Sequence, residues 1–591
     1  MKTFLFLLVL AVACTRPAQA QNNQLVIDQA AVLPSLATPG SGSIIDLVEF
    51  TDAQGSTYQA GSFTGTVHFG SFNFTGLDTD VVVAKRNAAG VYVWAVAGGG
   101  AGTQRAKALA VDAAGNVAVT GSFDSSTASF GASTLTNARA ANTSTSDVFV
   151  AKVTAGGTWE WAASAGGGTT INGNDYATAI AADLFGNIYV AGTYSSSVAF
   201  FGPTIQLATT DPYAAGRETV FIAKLSPTGV WQWARRSEYY GGVVSGVITD
   251  AMTNAYFVSG FHALAQFGAY TVTTPYPAGG IAIAKIDGAG AWQWVVKAQN
   301  NARETDISCN GLTMGVQNDL YLAGTYNGDT ATFGQTRLVN RGPLAPSPSG
   351  ASRQAHTDNA YLARLNTATG AWRWALQSQG DGYEIFSAPV LDASGGLYLG
   401  AGVSEPGFQH SPLQPGHQFG NTTITTAAGS ADVIIAKLDT AGTWRWVAQA
   451  GGTSNENAAP SYIDGQGRVF VTGRFYGPSL TLGTTNMAAV PTASYTNFTA
   501  FTARLGANGP LSTRGQNASL FSVYPNPAHR NMTVTGLSPK QAIQMLDALG
   551  RVILVGTMPE HGDMQLELPA GLPAGLYIVR AGKEARRVVV E

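Results

Sequence analysis

Asp112-Ala-Ala-Gly-Asn-Val-Ala-Val-Thr-Gly-Ser-Phe123, then Phe130-Gly131, then Asp147-Val-Phe-Val-Ala-Lys152, then Trp159-Glu-Trp161, make one unit of a pattern that recurs down most of the chain. Aligned on the glycine that closes the second apolar segment, copies stand at Gly61, Gly121, Gly192, Gly260, Gly324, Gly402 and Gly473, the sixth falling one residue late. Their spacing of about 60 to 78 residues suits one four-stranded sheet with its loops. Self-similarity of this kind marks a repeat architecture, in which each unit buries its apolar faces against its neighbours.

Each copy divides into four strand signals. A small, apolar strand such as Ala177–Ala182 leads into a turn of the form Asp-x-x-Gly, at Asp52, Asp112, Asp183, Asp392 and Asp464. Aspartate caps its own turn and glycine takes the left-handed position, as short hairpins require. A Tyr- and Val-rich second strand follows, then a loop carrying Phe-Gly at 69–70, 130–131, 201–202, 267–268, 333–334 and 419–420, and Leu482-Gly483 in the last copy. The third strand ends in a base, Lys85, Lys152, Lys224, Lys285, Arg364, Lys437 or Arg504. The fourth carries Trp pairs at 159/161, 231/233, 292/294, 372/374 and 444/446, with Tyr92/Trp94 in the first copy, and these account for all 11 tryptophans. Spacing by two puts each pair on one strand face, where it predicts packing between neighbouring sheets.

The seventh copy lacks a tryptophan strand, and residues 24–33 belong to no copy. An unpaired edge strand is a liability, so residues 24–33 are expected to supply the missing outer strand. The fold class read from this pattern is all-β: a seven-bladed β-propeller over 21–505, a linker over 506–520 and a small antiparallel β-sandwich over 521–591. Charged residues are only 12% of the 591, the net charge is −3, and no basic field points to nucleic acid.

The amino terminus has Lys2, an apolar run from Phe4 to Ala13 and Ala18-Gln19-Ala20, which reads as a signal peptide over 1–20. Ala11-Val12-Ala13-Cys14 loosely resembles a lipobox, but Ala11 stands where Leu is usual, which favours cleavage after Ala20. Cys309 then has no partner in the mature chain, and it reads as a small buried hydrophobe. No later segment is apolar enough to span a membrane as a helix.

Residues 43–505 resemble the bacterial SBBP-type propeller repeat, best matched by Asp183-Leu-Phe-Gly-Asn-Ile-Tyr-Val-Ala-Gly192. The fourth and fifth copies depart from it at Asp250-Ala-Met-Thr-Asn254 and Val316-Gln-Asn-Asp319. From Leu520 the pattern changes to short alternating strands. Tyr524-Pro525-Asn526-Pro527, then Asp547, Gly550 and Arg551, then Gly575 and Tyr577 occur in the order of the type A C-terminal sorting domain of the type IX secretion system, which this tail resembles. The resemblance implies export across the outer membrane of a Bacteroidetes-type cell, with the secretion machinery as partner through 521–591, and a final place outside the cell or on its surface. An ordinary Ig-like binding domain is the other reading.

No metalloprotease, nucleophile-elbow, phosphate-loop or Cys-x-x-Cys motif is present, so no catalytic residue and no cofactor is assigned. The ring of third-strand bases suits either solvent and turn contacts or an anionic polymer. The best candidate ligand residues lie just before each innermost strand: Gln104, Asp175, Asp306, Glu384 and Glu456, beside Tyr176, Tyr239, Tyr240, Arg303, Tyr383 and Asn455. Converging on a channel mouth, they would suit a hard cation such as calcium, or a glycan or protein ligand. The competing reading is that each caps the backbone entering its strand. The expected function is a monomeric, secreted or surface-bound binding or adhesion module. The alternatives are a propeller-fold polysaccharide hydrolase or lyase, and a structural envelope protein.

Overall fold

The computed structural model describes residues 21–22, 27–32, 42–505 and 522–590, except 139–144, 168–172, 209–217, 241, 276–277, 301–306, 317–318, 342–343, 347–353, 381, 405–415, 426–430, 452–455, 465–466, 483–484, 490–498, 525–527, 536, 538, 548–550, 561–562 and 582–583. The signal-peptide, Cys14 and linker readings lie outside the described residues, as do Asp306, Arg303 and Asn455. The chain divides into two compact units, Met1–Leu511 and Ser512–Glu591. All regular structure among the described residues is β.

Among the described residues the first unit has seven antiparallel four-strand sets in chain order, three of them within six-stranded sheets, and five separate two-stranded hairpins. The second illustrates them all: Gln104–Val111 pairs with Val117–Phe123, that with Asp147–Val153, and that with Trp159–Gly166. The two middle strands are buried along their whole length, so they read as continuous apolar runs. The seventh sheet takes its fourth strand from far away: Ile27–Val32 pairs antiparallel with Thr499–Leu505. Gln21–Asn22 runs parallel to Trp446–Val447 at the edge of the sixth sheet, a pairing without a sequence signal.

The turn chemistry is as regular as the sequence suggests. Asp112 Oδ1 accepts from the N–H groups of Ala114 and Asn116, and Gly115 takes φ 81°. In the fourth copy Asp250 keeps the same two bonds, and Thr253 occupies the left-handed position at φ 64°. The turn between third and fourth strands repeats the device with Asn87, Ser226, Asp287 and Asp439.

The first strands of successive sheets, the innermost ones of the expected propeller, lie beside one another in order. Ser43–Thr51, Gln104–Val111, Asp175–Ala182, Val244–Thr249 and Ile307–Met314 are successive neighbours. Thr313 Oγ1 then donates to the Pro389 carbonyl (2.6 Å), Val390–Leu391 lies beside Glu456–Ile463, and that strand neighbours Ser43–Thr51.

The tail has a three-stranded and a four-stranded antiparallel sheet over a shared core of Met532, Val534, Leu566, Ile543, Met545, Val579 and Val588. Arg551 bonds back to Asp547, and the Tyr577 hydroxyl donates to the Pro573 carbonyl (2.8 Å). Tyr524 is exposed. Pro525, Asn526, Pro527 and Gly550 lie outside the described residues.

Candidate ligand-binding site

The conspicuous residues of the repeat hold sheets together. The second tryptophan of a pair donates its indole N–H to the next sheet: Trp94 to Ala155, Trp161 to Pro227, Trp233 to Gly288, Trp294 to Thr367 and Trp374 to Thr440, all at 2.9–3.2 Å. The first reaches backwards, Trp159 to Ala97, Trp231 to Ser164 and Trp372 to Lys297. Each of these first tryptophans packs edge-on against a Phe-Gly phenylalanine, as Phe130 does on Trp159 with centroids 5.1 Å apart. Third-strand bases stand over second-strand tyrosines, with Lys85 on Tyr58 (4.7 Å), Lys224 on Tyr189 (5.1 Å) and Lys437 on Tyr398 (4.5 Å). Lys152 and Lys224 are buried, so these two ammonium groups are spent on packing. Burial also pushes the Cys309 thiol up to about 12, consistent with an inert side chain.

The four described candidate residues, Gln104, Asp175, Glu384 and Glu456, all stand at or beside the first position of an innermost strand, and all are buried. They do not form one cluster: Gln104, Asp175 and Glu384 each bond at a separate junction between sheets. Gln104 Oε1 accepts from Gly100 N–H (3.0 Å), which Asp80 also approaches (3.2 Å), while its amide donates to Ser125 Oγ (2.7 Å). Asp175 accepts from Gly167 N–H (2.9 Å), Ser195 N–H (3.1 Å) and the Ser196 hydroxyl (3.1 Å). Burial pushes the Asp175 carboxyl up to about 7, the Asp147 charge adds to the rise, and its hydrogen bonds oppose it. Asp147 itself is pushed up to about 6 by burial. Glu384 meets His417 Nδ1 at 2.6 Å and Ser378 Oγ at 3.4 Å, and burial raises its carboxyl, with His417 opposing. Among the described residues no three His, Cys, Asp or Glu side chains gather to hold a metal ion.

The exposed polar groups are the neighbours of these four. Every innermost strand except the sixth, which breaks into Tyr383–Phe386 and Val390–Leu391, carries a bulge. The residue set out of register is Lys107, Thr178, Ser245, Asn310 or Ser461, and Asp46 with Leu47 in the first sheet. Lys107, Thr178 and Asn310 are exposed, as are Arg105, Tyr383 and Ile385. Arg105 Nη1 and Lys107 Nζ reach across to the preceding sheet, where both meet Asp46 Oδ2 at 3.3 and 3.0 Å. Sequence reasoning passed over this set because a bulge leaves no residue signature. The one available clue was that these positions vary from copy to copy more than the turns, five of which keep Asp-x-x-Gly. An opening of about 570 Å³ lies at the turns of the first three sheets among Phe50, Asp52, Asp112, Asp183, Leu184 and Lys85.

Residues 522–591 match the family described as secretion system C-terminal sorting domain. The tail is a type IX sorting domain. It sends the chain to the cell surface or the extracellular space, and it makes the type IX machinery a partner. No helix among the described residues is long and apolar enough to cross a membrane. No curated protein matches the sequence. Among solved structures the chain is similar to Hadza microbial sialidase Hz136, at 12% identity over 65% of this chain and 96% of that one, with a TM-score of 0.25. It is also similar to PorZ, a surface component of the type-IX secretion system of Porphyromonas gingivalis, at 10% identity over 95% and 100% of the two chains and a TM-score of 0.13. A third is cobalt-substituted Synechocystis ACO, at 10% identity over 83% and 96%, with a TM-score of 0.30. Overlaps this low carry no weight for fold or chemistry.

Proposed function

We propose that residues 21–505 form a seven-bladed propeller, joined to itself through Ile27–Val32, and that it is a non-catalytic binding or adhesion module displayed outside the cell. The succession of neighbouring innermost strands from first to seventh and back supports the ring, as does the likeness of the repeats to the SBBP type. One observation carries the functional reading: the Asp-x-x-Gly turn recurs in five of the seven copies and the Trp pair in five, whereas the exposed side chains of the innermost strands differ from one to the next. A scaffold kept constant around a variable inner wall suits recognition, since function concentrates where the framework lets sequence change. A hydrolase needs two carboxyl groups that reach substrate, and Asp175, Glu384 and Glu456 are buried. That favours binding over hydrolysis.

The test is a glycan array probed with the full chain, followed by the Asn310→Ala/Tyr383→Ala double variant. Retention on defined glycans, weakened at least tenfold in the variant, is the expected result. An array without retention, or turnover of any bound polysaccharide, sinks the reading.

A further inference from the structure

Seven innermost strands contribute the wall of the proposed channel, and their described residues include one arginine and one lysine. These are Arg105 and Lys107, both on the strand Gln104–Val111. We propose that this pair is a subsite for the carboxylate of an acidic polysaccharide, with Asp46 as the internal counter-ion that the ligand displaces. The inference rests on the binding reading above and names its ligand class.

Three observations carry it. Both cations are substantially exposed, with side chains 45% and 39% accessible, whereas Lys152 and Lys224 in the third strands are packed away. Both also converge on a single oxygen, Asp46 Oδ2, so two positive charges face one negative charge and the cluster keeps a net charge of +1. Arg105 uses only Nη1 in that contact, leaving most of its planar fork for a bidentate carboxylate. Finally, Asp46 is a non-glycine residue at φ 56°, inside the two-residue irregularity between Ile45 and Val48. Its backbone is in a sparsely populated region held by its surroundings, an arrangement found where a side chain must be presented in a fixed place.

The neighbouring groups decide between anions. Tyr176 and Thr178 stand on the adjacent innermost strand, Asn310 and Ser308 lie further round, and Tyr383 is on the sixth. Phenol rings and neutral hydroxyl or amide groups suit the faces and hydroxyls of sugars. Two cations in a chain of net charge −3 fall short of the basic track a nucleic acid needs.

Binding of the full chain to polygalacturonate, to the same polymer fully methyl-esterified, and to dextran sulfate would be measured by calorimetry at low and high salt. Polygalacturonate is expected to bind and to weaken with salt, the ester to bind at least tenfold more weakly. Arg105→Ala/Lys107→Ala should lose binding at least tenfold, with Arg105→Gln/Lys107→Gln as a second variant should the first fail to fold. Asp46→Asn, which removes the competing carboxylate, should bind the acid polymer more tightly. Equal binding of acid and ester, or of wild type and the folded double variants, overturns the carboxylate subsite and leaves a neutral-glycan binder standing. Binding of dextran sulfate alone overturns the carboxylate assignment. Absence of binding to all three polymers overturns the subsite, and with a blank glycan array the binding reading falls too.

Discussion

Two junctions in the first unit occupy equivalent places and are built from different chemistry. Between second and third sheets, the Asp147 charge raises the Asp175 carboxyl, hydroxyl and amide donors bond to the two, and among the described residues no base is bonded to either. Between fifth and sixth, Glu384 is paired with the imidazole of His417, and both side chains are almost wholly buried. A buried polar side chain thus stands at or beside the head of the innermost strand at Gln104, Asp175, Glu384 and Glu456, where the incoming loop has backbone groups to satisfy. The repeat does not dictate which charge that side chain carries. One junction is settled by a proton and the other by a partner, so the two should respond oppositely to the removal of one member.

The larger effect belongs to the second of these. His417→Leu leaves Glu384 in an enclosed site with the Ser378 hydroxyl 3.4 Å from its carboxylate. Breaking a buried pair by deleting one partner costs about 3–5 kcal/mol. Urea unfolding of the full chain at pH 7 should show a loss of that order in the first unit. His417→Gln, which keeps a donor, should recover part of it. A loss under about 1 kcal/mol would mean that the pair contributes no more than an exposed one, and the contrast between junctions would fail.

At the acidic junction, deletion of a charge should help. Asp147 and Asp175 hold protons in the folded state up to about pH 6 and 7, well above the 3.8 of a free side chain. Groups raised in this way give stability that is present below the ordinary carboxylate range and is lost as pH climbs through the folded values. The wild type should therefore weaken between about pH 4 and pH 7. Asp175→Asn keeps an acceptor oxygen for one of the Gly167 and Ser195 N–H groups, which bond to different carboxylate oxygens, and has no proton to lose. It should be near neutral at pH 4 and more stable than wild type by roughly 2 kcal/mol at pH 8. Melting curves across that range decide it; a variant weaker at pH 8 would show that the charge itself is needed there.

The contrast also shows where sequence reading stops. Turn caps at Asp52, Asp112 and Asp183 were legible because the Asp-x-x-Gly spacing is local and its cause is local. Tryptophan pairs were legible because two-residue spacing fixes a strand face. Gln104, Asp175, Glu384 and Glu456 were found as equivalent positions, but whether they faced a channel or a junction depended on the path of the incoming loop, which no pattern encodes. The Asp147–Asp175 approach was invisible, since the two lie on different sheets and 28 residues apart. The bulges that set out Lys107, Thr178 and Asn310 were missed for the same reason: pairing partners, not composition, create them.

The smallest effect sharpens the proton account most. Ser196 Oγ lies 2.9 Å from the Gly167 carbonyl and 3.1 Å from Asp175 Oδ2, and a hydroxyl has one proton to give. When Asp175 is protonated, its O–H can donate to Ser196, which donates on to Gly167, and all three groups are satisfied. When Asp175 is ionised, Ser196 must turn to the carboxylate, and the Gly167 carbonyl loses its donor. Ser196→Ala should therefore cost about 1 kcal/mol, the usual value of one buried hydrogen bond. Because the hydroxyl favours the charged form of Asp175, its loss should also move the carboxyl's titration to higher pH, so the fall in stability continues to higher pH. Carbon-detected NMR titration of the Asp175 carboxyl in wild type and Ser196→Ala measures this directly. A midpoint that moves down, or does not move, would show that the serine serves only the backbone.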